Sequence, residues 1–184
     1  MEAAETIEAG HGRRSIDTVR ELRPDLDAES ENAFIEHLEI TDNDGLVILP
    51  GVKAFLNALP DGRWTVVTSA TRKLALSRLA AGGIPLRASL VSGDDVTIGK
   101  PDPAAYRAGA AALGLAPQEC LVIEDAPSGV ASGKAAGCRV LAVAEKVKWA
   151  SLADADYRVE SLADVRVGVR GDEIRLKFKC GVVV

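Results

Sequence analysis

Apolar and polar positions follow two different rhythms along this chain. Residues 1–40 are polar overall, and apolar residues recur at helical spacing through SIDTVRELRPDLDAESENAFIEHLEI, which predicts helices. Pro24 and Asp25 break that pattern into two helices. TDNDGLVILPG then reads as a turn-rich linker and VKAFLNALPDG as a short helix. From Trp64 the rhythm changes. WTVVTS, SLVSG, LVIED, RVLAVA and YRVES are short, β-branched or apolar runs, the signature of buried strands. TRKLALSRLAAGG, DPAAYRAGAAALGL and APSGVASGKAAGC between them read as helices, the first closed by glycine, the second opening on Asp102 as N-cap with Pro103 in its first turn. The tail VRVGVRGDEIRLKFK alternates and turns near Gly171 and Asp172, predicting a terminal hairpin.

Strands alternating with helices predict βαβ units and a mainly parallel sheet, so the fold class is α/β. Runs as apolar as LVIED suit a sheet covered on both faces. The 184 residues, 47% hydrophobic and 27% charged, make one domain or one domain with a small appendage. A formal net charge of -5, no basic patch and only 4% aromatics remove nucleic acid as a partner. No apolar run approaches the ~18 residues of a membrane span. The opening MEAAETIEAG is acidic and has no apolar core, so it does not read as a secretory signal, and a cytoplasmic protein is expected.

Cys120, Cys138 and Cys180 are odd in number, widely spaced and without a CxxC pair. They predict small apolar filler in a reducing compartment, neither zinc site nor disulfide framework. His11 and His37 are too few for a histidine cage. Any metal would be held by carboxylates, and that points to magnesium.

In an open parallel sheet, ligands sit beyond the carboxyl ends of the strands. Three of the predicted strand ends carry chemistry. The first ends in Thr68, Ser69, Ala70 and Thr71, small hydroxyls at a helix start where backbone N–H groups also face an anion. The second leads into Gly99, Lys100, Pro101, Asp102 and Pro103, a proline-stiffened loop with one positive charge. The third ends in the adjacent carboxylates Glu124 and Asp125, of which Asp125 could coordinate magnesium. Hydroxyl, lysine and carboxylate together suit a phosphate-plus-magnesium site, the electrostatic apparatus that phosphoryl transfer demands. Each part alone has a plainer reading: a helix cap for the hydroxyls, a solvated surface charge for the lysine, a cap for the paired acids.

VVTSAT, GKPDPAAY and VIEDAPSGVASGKAAGC resemble, in that order, the second, third and fourth motifs of the haloacid dehalogenase superfamily. The wording is most similar to its sugar- and polyol-phosphate phosphatases, the glycerol and 2-deoxyglucose-6-phosphate phosphatases among them. HGRRSIDTVREL resembles the opening of their helical cap, and LPGVKAFLNALP the helix returning to the core. The resemblance covers about residues 8–165 and implies a partial helical cap over residues 1–45 and a three-layer α/β core over 46–184. It implies that Ser69 and the backbone at Ala70 bind the transferring phosphoryl group and that Lys100 neutralises it and orients the nucleophile. It implies that Asp125 binds Mg2+ with Glu124 beside it, and that His11 and Arg14 help select a small phosphorylated metabolite.

The family's first motif, a hydrophobic strand ending in Asp-x-Asp-Gly-Thr, has no counterpart before the cap-like helices. Its first aspartate attacks phosphorus and its second is the general acid and base. In the family that strand lies at the sheet's centre, so a truncated core with unpaired inner edges is expected, unstable alone. Asp42, Asn43, Asp44 and Gly45 spell Asp-x-Asp-Gly, but they follow the cap-like helices and Leu46 stands where threonine belongs, which predicts a polar turn. Two functions stay open: a phosphatase whose 184-residue chain is inactive alone, or a catalytically inactive module that binds a phosphorylated ligand. A receiver-like signalling domain is disfavoured by the order Ser69, Lys100, Asp125. A P-loop is excluded by the spacing from Gly93 to Lys100 and by Pro101.

Overall fold

The computed structural model describes residues 10–86, 89–143 and 149–178. The acidic opening, the last position of the predicted strand RVLAVA, and Cys180 lie outside the described residues. Helices α1 (Ser15–Leu22) and α2 (Ala28–Thr41) come first, separated at Pro24 and Asp25. Asp27 caps α2, its Oδ1 accepting the Ser30 N–H at 2.8 Å. Then follow α3 (Val52–Ala58), β1 (Val66–Val67), α4 (Arg72–Ala81), β2 (Leu90–Val91), α5 (Ala104–Ala112), β3 (Leu121–Glu124), α6 (Pro127–Ala136), β4 (Arg139–Val143) and β5 (Tyr157–Val159). β6 (Val165–Arg170) and β7 (Glu173–Phe178) close the described chain as an antiparallel hairpin turning at Gly171 and Asp172.

Alternation along β4 sorts its side chains into two cores. Val140 and Ala142 face one way, onto Val122, Val130, Tyr106 and Leu152. Leu141 and Val143 face the other, onto Phe55, Val159, Leu176 and Phe178. Both faces are covered, by α5 and α6 on one side and by α3 with the hairpin on the other. That is why the strand reads as one continuous apolar run. The α1–α2 pair stands apart from these cores and reaches the rest through α2 on α4 and through the start of α1 on the loop 93–99.

All pairings among β1 to β5 are parallel, but they fall into two sheets, β1–β2 and β3–β4–β5. The inner edges of β1 and β3 have no strand partner among the described residues. A cavity of about 660 Å³ lies between the two sheets, lined by Val66 and Val67 on one side and Leu121, Val122 and Ile123 on the other. Trp64 also lines it, and its buried indole N–H has no acceptor among the described residues. Helix α5 bridges the split by packing on β1, β2 and α6. Gly109 permits this, since a Cβ there would come within 2.7 Å of Val67 Cγ2.

Some boundaries differ from the sequence pattern. The apolar run 64–69 forms a ladder only at Val66 and Val67, because its partner β2 is itself only two residues long. Helix α5 starts at Ala104, with Asp102 one step further out than a cap, its Oδ1 accepting the Ala104 N–H at 2.8 Å. The Asp42 to Gly45 segment is an exposed turn closing α2, with the Asp44 N–H held by Asp42 Oδ1 at 3.0 Å.

Candidate active site

The carboxyl ends of β1, β2 and β3 bring Ser69, Lys100, Glu124 and Asp125 to one end of the sheets. Lys100 and Glu124 are its buried centre. Lys100 is 6% exposed and Glu124 8%. The Lys100 ammonium donates to Glu124 Oε1 at 2.5 Å and to the Tyr106 hydroxyl at 3.0 Å, and lies 4.7 Å from the centre of the Tyr106 ring. Tyr106 in turn donates its O–H to Glu124 Oε1 at 2.5 Å. Glu124 Oε2 accepts the Asp125 and Ala126 backbone N–H groups at 3.0 and 3.1 Å. Burial disfavours a charged Glu124, but Lys100, Tyr106 and the Ala126 N–H outweigh it and hold the carboxyl below its usual range. Burial first, then the Glu124 charge, pushes the Tyr106 phenol far above its ordinary value, so it stays a neutral donor.

The sequence paired Glu124 with Asp125 at a metal. The geometry separates them: both Glu124 oxygens are spent on donors, whereas the Asp125 side chain is 61% exposed. Among the described residues no group of three or more His, Cys, Asp or Glu converges. Mg2+ commonly takes only one or two carboxylates and completes its shell with water and substrate phosphate, so Asp125 alone fits one position of such a site.

Ser69 and Ala70 follow the carboxyl end of β1 and are engaged within the protein. Ser69 Oγ donates to the Gly12 carbonyl at 2.7 Å, and the Ala70 N–H donates to Thr68 Oγ1 at 3.1 Å. Thr71 caps α4 by accepting the Leu74 N–H and donates its hydroxyl to Glu36 of α2. His11 reaches the site, with Nε2 3.7 Å from Asp125 Oδ2 and its carbonyl accepting Ser128 Oγ at 3.0 Å. The Arg14 guanidinium instead turns to Asp17 and to the loop 93–97.

Sequence reasoning assigned no role to Tyr106, Ser128 or Asp17. Tyr106 could have been found. It is the one aromatic side chain in GKPDPAAY, on the first turn of a helix that the lysine loop starts, and a buried tyrosine needs a hydroxyl partner. Ser128 meets the His11 carbonyl across a long sequence separation, which no residue pattern announces, whereas Asp17 pairs with the Arg14 side chain at i,i+3 spacing, a local signal the sequence did carry.

Comparison with known proteins identifies the architecture. A family model for haloacid dehalogenase-like hydrolases matches residues 2–137, and the chain belongs to that family. Hexitol phosphatase A of Escherichia coli is 40% identical over 85% of this chain and 75% of its own length. Glycerol-1-phosphate phosphohydrolase 2 of Saccharomyces cerevisiae is 31% identical over 97% of this chain and 78% of its own. In three dimensions a β-phosphoglucomutase from Clostridium difficile superposes with a TM-score of 0.75 at 20% identity, over 90% of this chain and 78% of that one, which establishes the shared α/β fold.

Proposed function

We propose that this chain supplies the phosphate-binding and charge-stabilising half of a phosphomonoesterase acting on small phosphorylated sugars or polyols. The observation that carries the reading is the buried Lys100–Glu124–Tyr106 cluster at the strand ends, with the exposed Asp125 directly after Glu124. A buried ammonium with one counter-ion, at the ends of parallel strands, is an electrostatic clamp for a transferring phosphoryl group. The hexitol and glycerol phosphate phosphatases among its relatives support the substrate class.

In this reading Ser69 Oγ donates to a phosphoryl oxygen and Lys100 stabilises its negative charge. Asp125 holds one position of a Mg2+ ion, which when bound adds neutralising positive charge. His11, at the rim, faces the leaving-group side. Each of these residues is given another role in this reading, so attack falls to a further group. We assign attack on phosphorus, with formation of an aspartyl-phosphate, to an aspartate on an extended strand seated between β1 and β3. The free inner edges, the apolar cavity and the unsatisfied Trp64 N–H support that placement.

The test is phosphate release from p-nitrophenyl phosphate, hexitol phosphates and glycerol phosphate, with and without magnesium. It compares the 184-residue chain with the same chain carrying an apolar strand ending in Asp-x-Asp-Gly-Thr before Met1. Turnover only in the extended protein, lowered about 10²–10³-fold by Lys100→Met, is expected. Turnover by the 184-residue chain that survives Lys100→Met and Asp125→Asn would sink the reading. The second reading, a module that binds a phosphorylated ligand without turning it over, is favoured by the engagement of both Glu124 oxygens, which leaves Asp125 as the exposed carboxylate at the end of β3. Ligand binding with no release from either protein would select it.

A further inference from the structure

The Arg14 side chain is 15% exposed, and a guanidinium has five N–H donors. All five are engaged inside the protein. Nε donates to Asp17 Oδ2 at 2.6 Å, and Nη2 to Asp17 Oδ1 at 2.9 Å and the Thr97 carbonyl at 3.0 Å. Nη1 donates to the Val96 carbonyl at 2.9 Å and the Gly93 carbonyl at 3.5 Å. Gly99 makes room for this arrangement. A Cβ there would lie 2.8 Å from both Arg14 Nε and Asp17 Oδ2, and no positive φ requires glycine at the position. The loop on the receiving side is fixed to the core. Asp95 Oδ2 accepts from Ser92 N, Ser92 Oγ and Arg72 Nη2, and the Gly93 N–H donates to the Ala70 carbonyl at 2.8 Å.

We propose that Arg14, Asp17 and Gly99 form a latch that seats the segment 11–14 on the strand ends, making Asp17 and Gly99 positioning residues for the Ser69 site. Arg14 is then a structural clamp with no donor left for substrate. The seated segment puts the Gly12 carbonyl on Ser69 Oγ at 2.7 Å and the His11 carbonyl on Ser128 Oγ at 3.0 Å. A serine hydroxyl has a single proton. While Gly12 accepts it, a phosphoryl oxygen cannot, and two acceptor oxygens facing each other repel. An oxyanion therefore enters only when the segment shifts, and the latch sets how often that happens. This inference rests on the reading of Ser69 as a phosphate ligand.

Two variants loosen the latch by different means. Asp17→Asn weakens the charge-assisted fork, and Gly99→Ala keeps both charges but denies them their seat. Amide hydrogen exchange is measured along the chain, and orthophosphate binding by calorimetry. Exchange around residues 11–15 and 93–99 is expected to rise about tenfold or more in both variants, with the β3 and β4 amides unchanged. Orthophosphate is expected to bind about threefold or more tightly, because the competent population grows. Unchanged exchange in both variants overturns the latch. Weaker orthophosphate binding in both overturns the competition with Ser69, since the seated segment would then belong to the ligand site. If neither wild type nor variants bind orthophosphate, the phosphatase reading and the positioning role fall together, while exchange still decides whether the latch exists. Should Asp17→Asn fail to fold, Gly99→Ala carries both measurements.

Discussion

Glu124 accepts from Lys100, Tyr106 and two backbone N–H groups, so its charge is tolerable only while those donors stay. Removing the ammonium leaves a carboxylate uncompensated in the interior. Lys100→Met is expected to cost about 3–5 kcal/mol, read from the urea midpoint. Lys100→Met combined with Glu124→Gln should recover most of that loss, because no buried charge remains. A double variant as unstable as the single would show that packing, not charge, is at stake. Asp95 gives the matching pH signature. Hydrogen bonds from Ser92, then Arg72, lower its carboxyl from the ordinary 3.8 to about 2. A depressed carboxyl contributes stability that is complete above its unfolded value and lost as pH falls through the folded one. Acid unfolding should therefore have a limb between those two values that flattens in Asp95→Asn, followed by circular dichroism. Lys100 and Asp125 could be picked out of the sequence because their positions, just past apolar runs, are a matter of local pattern. For Arg14 the pattern could supply only the local pair with Asp17, since its other partners are carbonyls of a distant loop that any residue could supply.

Among the elements, α6 shows how tightly a helix is fitted to this site. It starts at Pro127 directly after Asp125 and Ala126, and Gly129 sits on the first turn facing Glu124. A Cβ at Gly129 would overlap the Glu124 carboxylate, and Gly133 faces Val140 Cγ2 at 2.9 Å in the same test. Alanine normally favours a helix by about 1 kcal/mol over glycine. Gly129→Ala should nonetheless lower the melting temperature, by displacing Glu124 from Lys100; a higher melting temperature would mean that the helix can slide off the site at little cost. The element order follows from periodicity: apolar runs of strand length, helices with their breaks, and the Gly171–Asp172 hairpin all form where the pattern puts them. Strand lengths do not follow from it, because a ladder needs a partner and partners are set by topology. The run LVIED pairs along the five-residue β4 and forms a four-residue strand, whereas the equally apolar WTVVTS lies beside the two-residue β2 and pairs at two residues.

The molecule as a whole is divided where a sheet should be continuous. β1–β2 and β3–β4–β5 run parallel on either side of an apolar cavity of about 660 Å³, bridged by α5 and by Val67 packed against the core around Tyr106 and Val122. Two facing edges without strand partners among the described residues leave backbone N–H and C=O groups to water or to other chains. The 184-residue chain should thus melt early and associate with rising concentration. A short apolar peptide of strand length should reverse both effects, because it can pair with β1 and β3 at once and offer the Trp64 N–H an acceptor. At a hundredfold excess over its dissociation constant such a ligand adds about 2.7 kcal/mol, enough to move a melting curve by several degrees. A proline placed mid-peptide removes a ladder N–H and should abolish the shift, while a scrambled polar peptide of the same length should give none. The measurement is the melting temperature against peptide concentration, with sedimentation alongside. A sharp, concentration-independent melt of a monomer, unmoved by the peptide, would show that the two half-sheets are already a finished core.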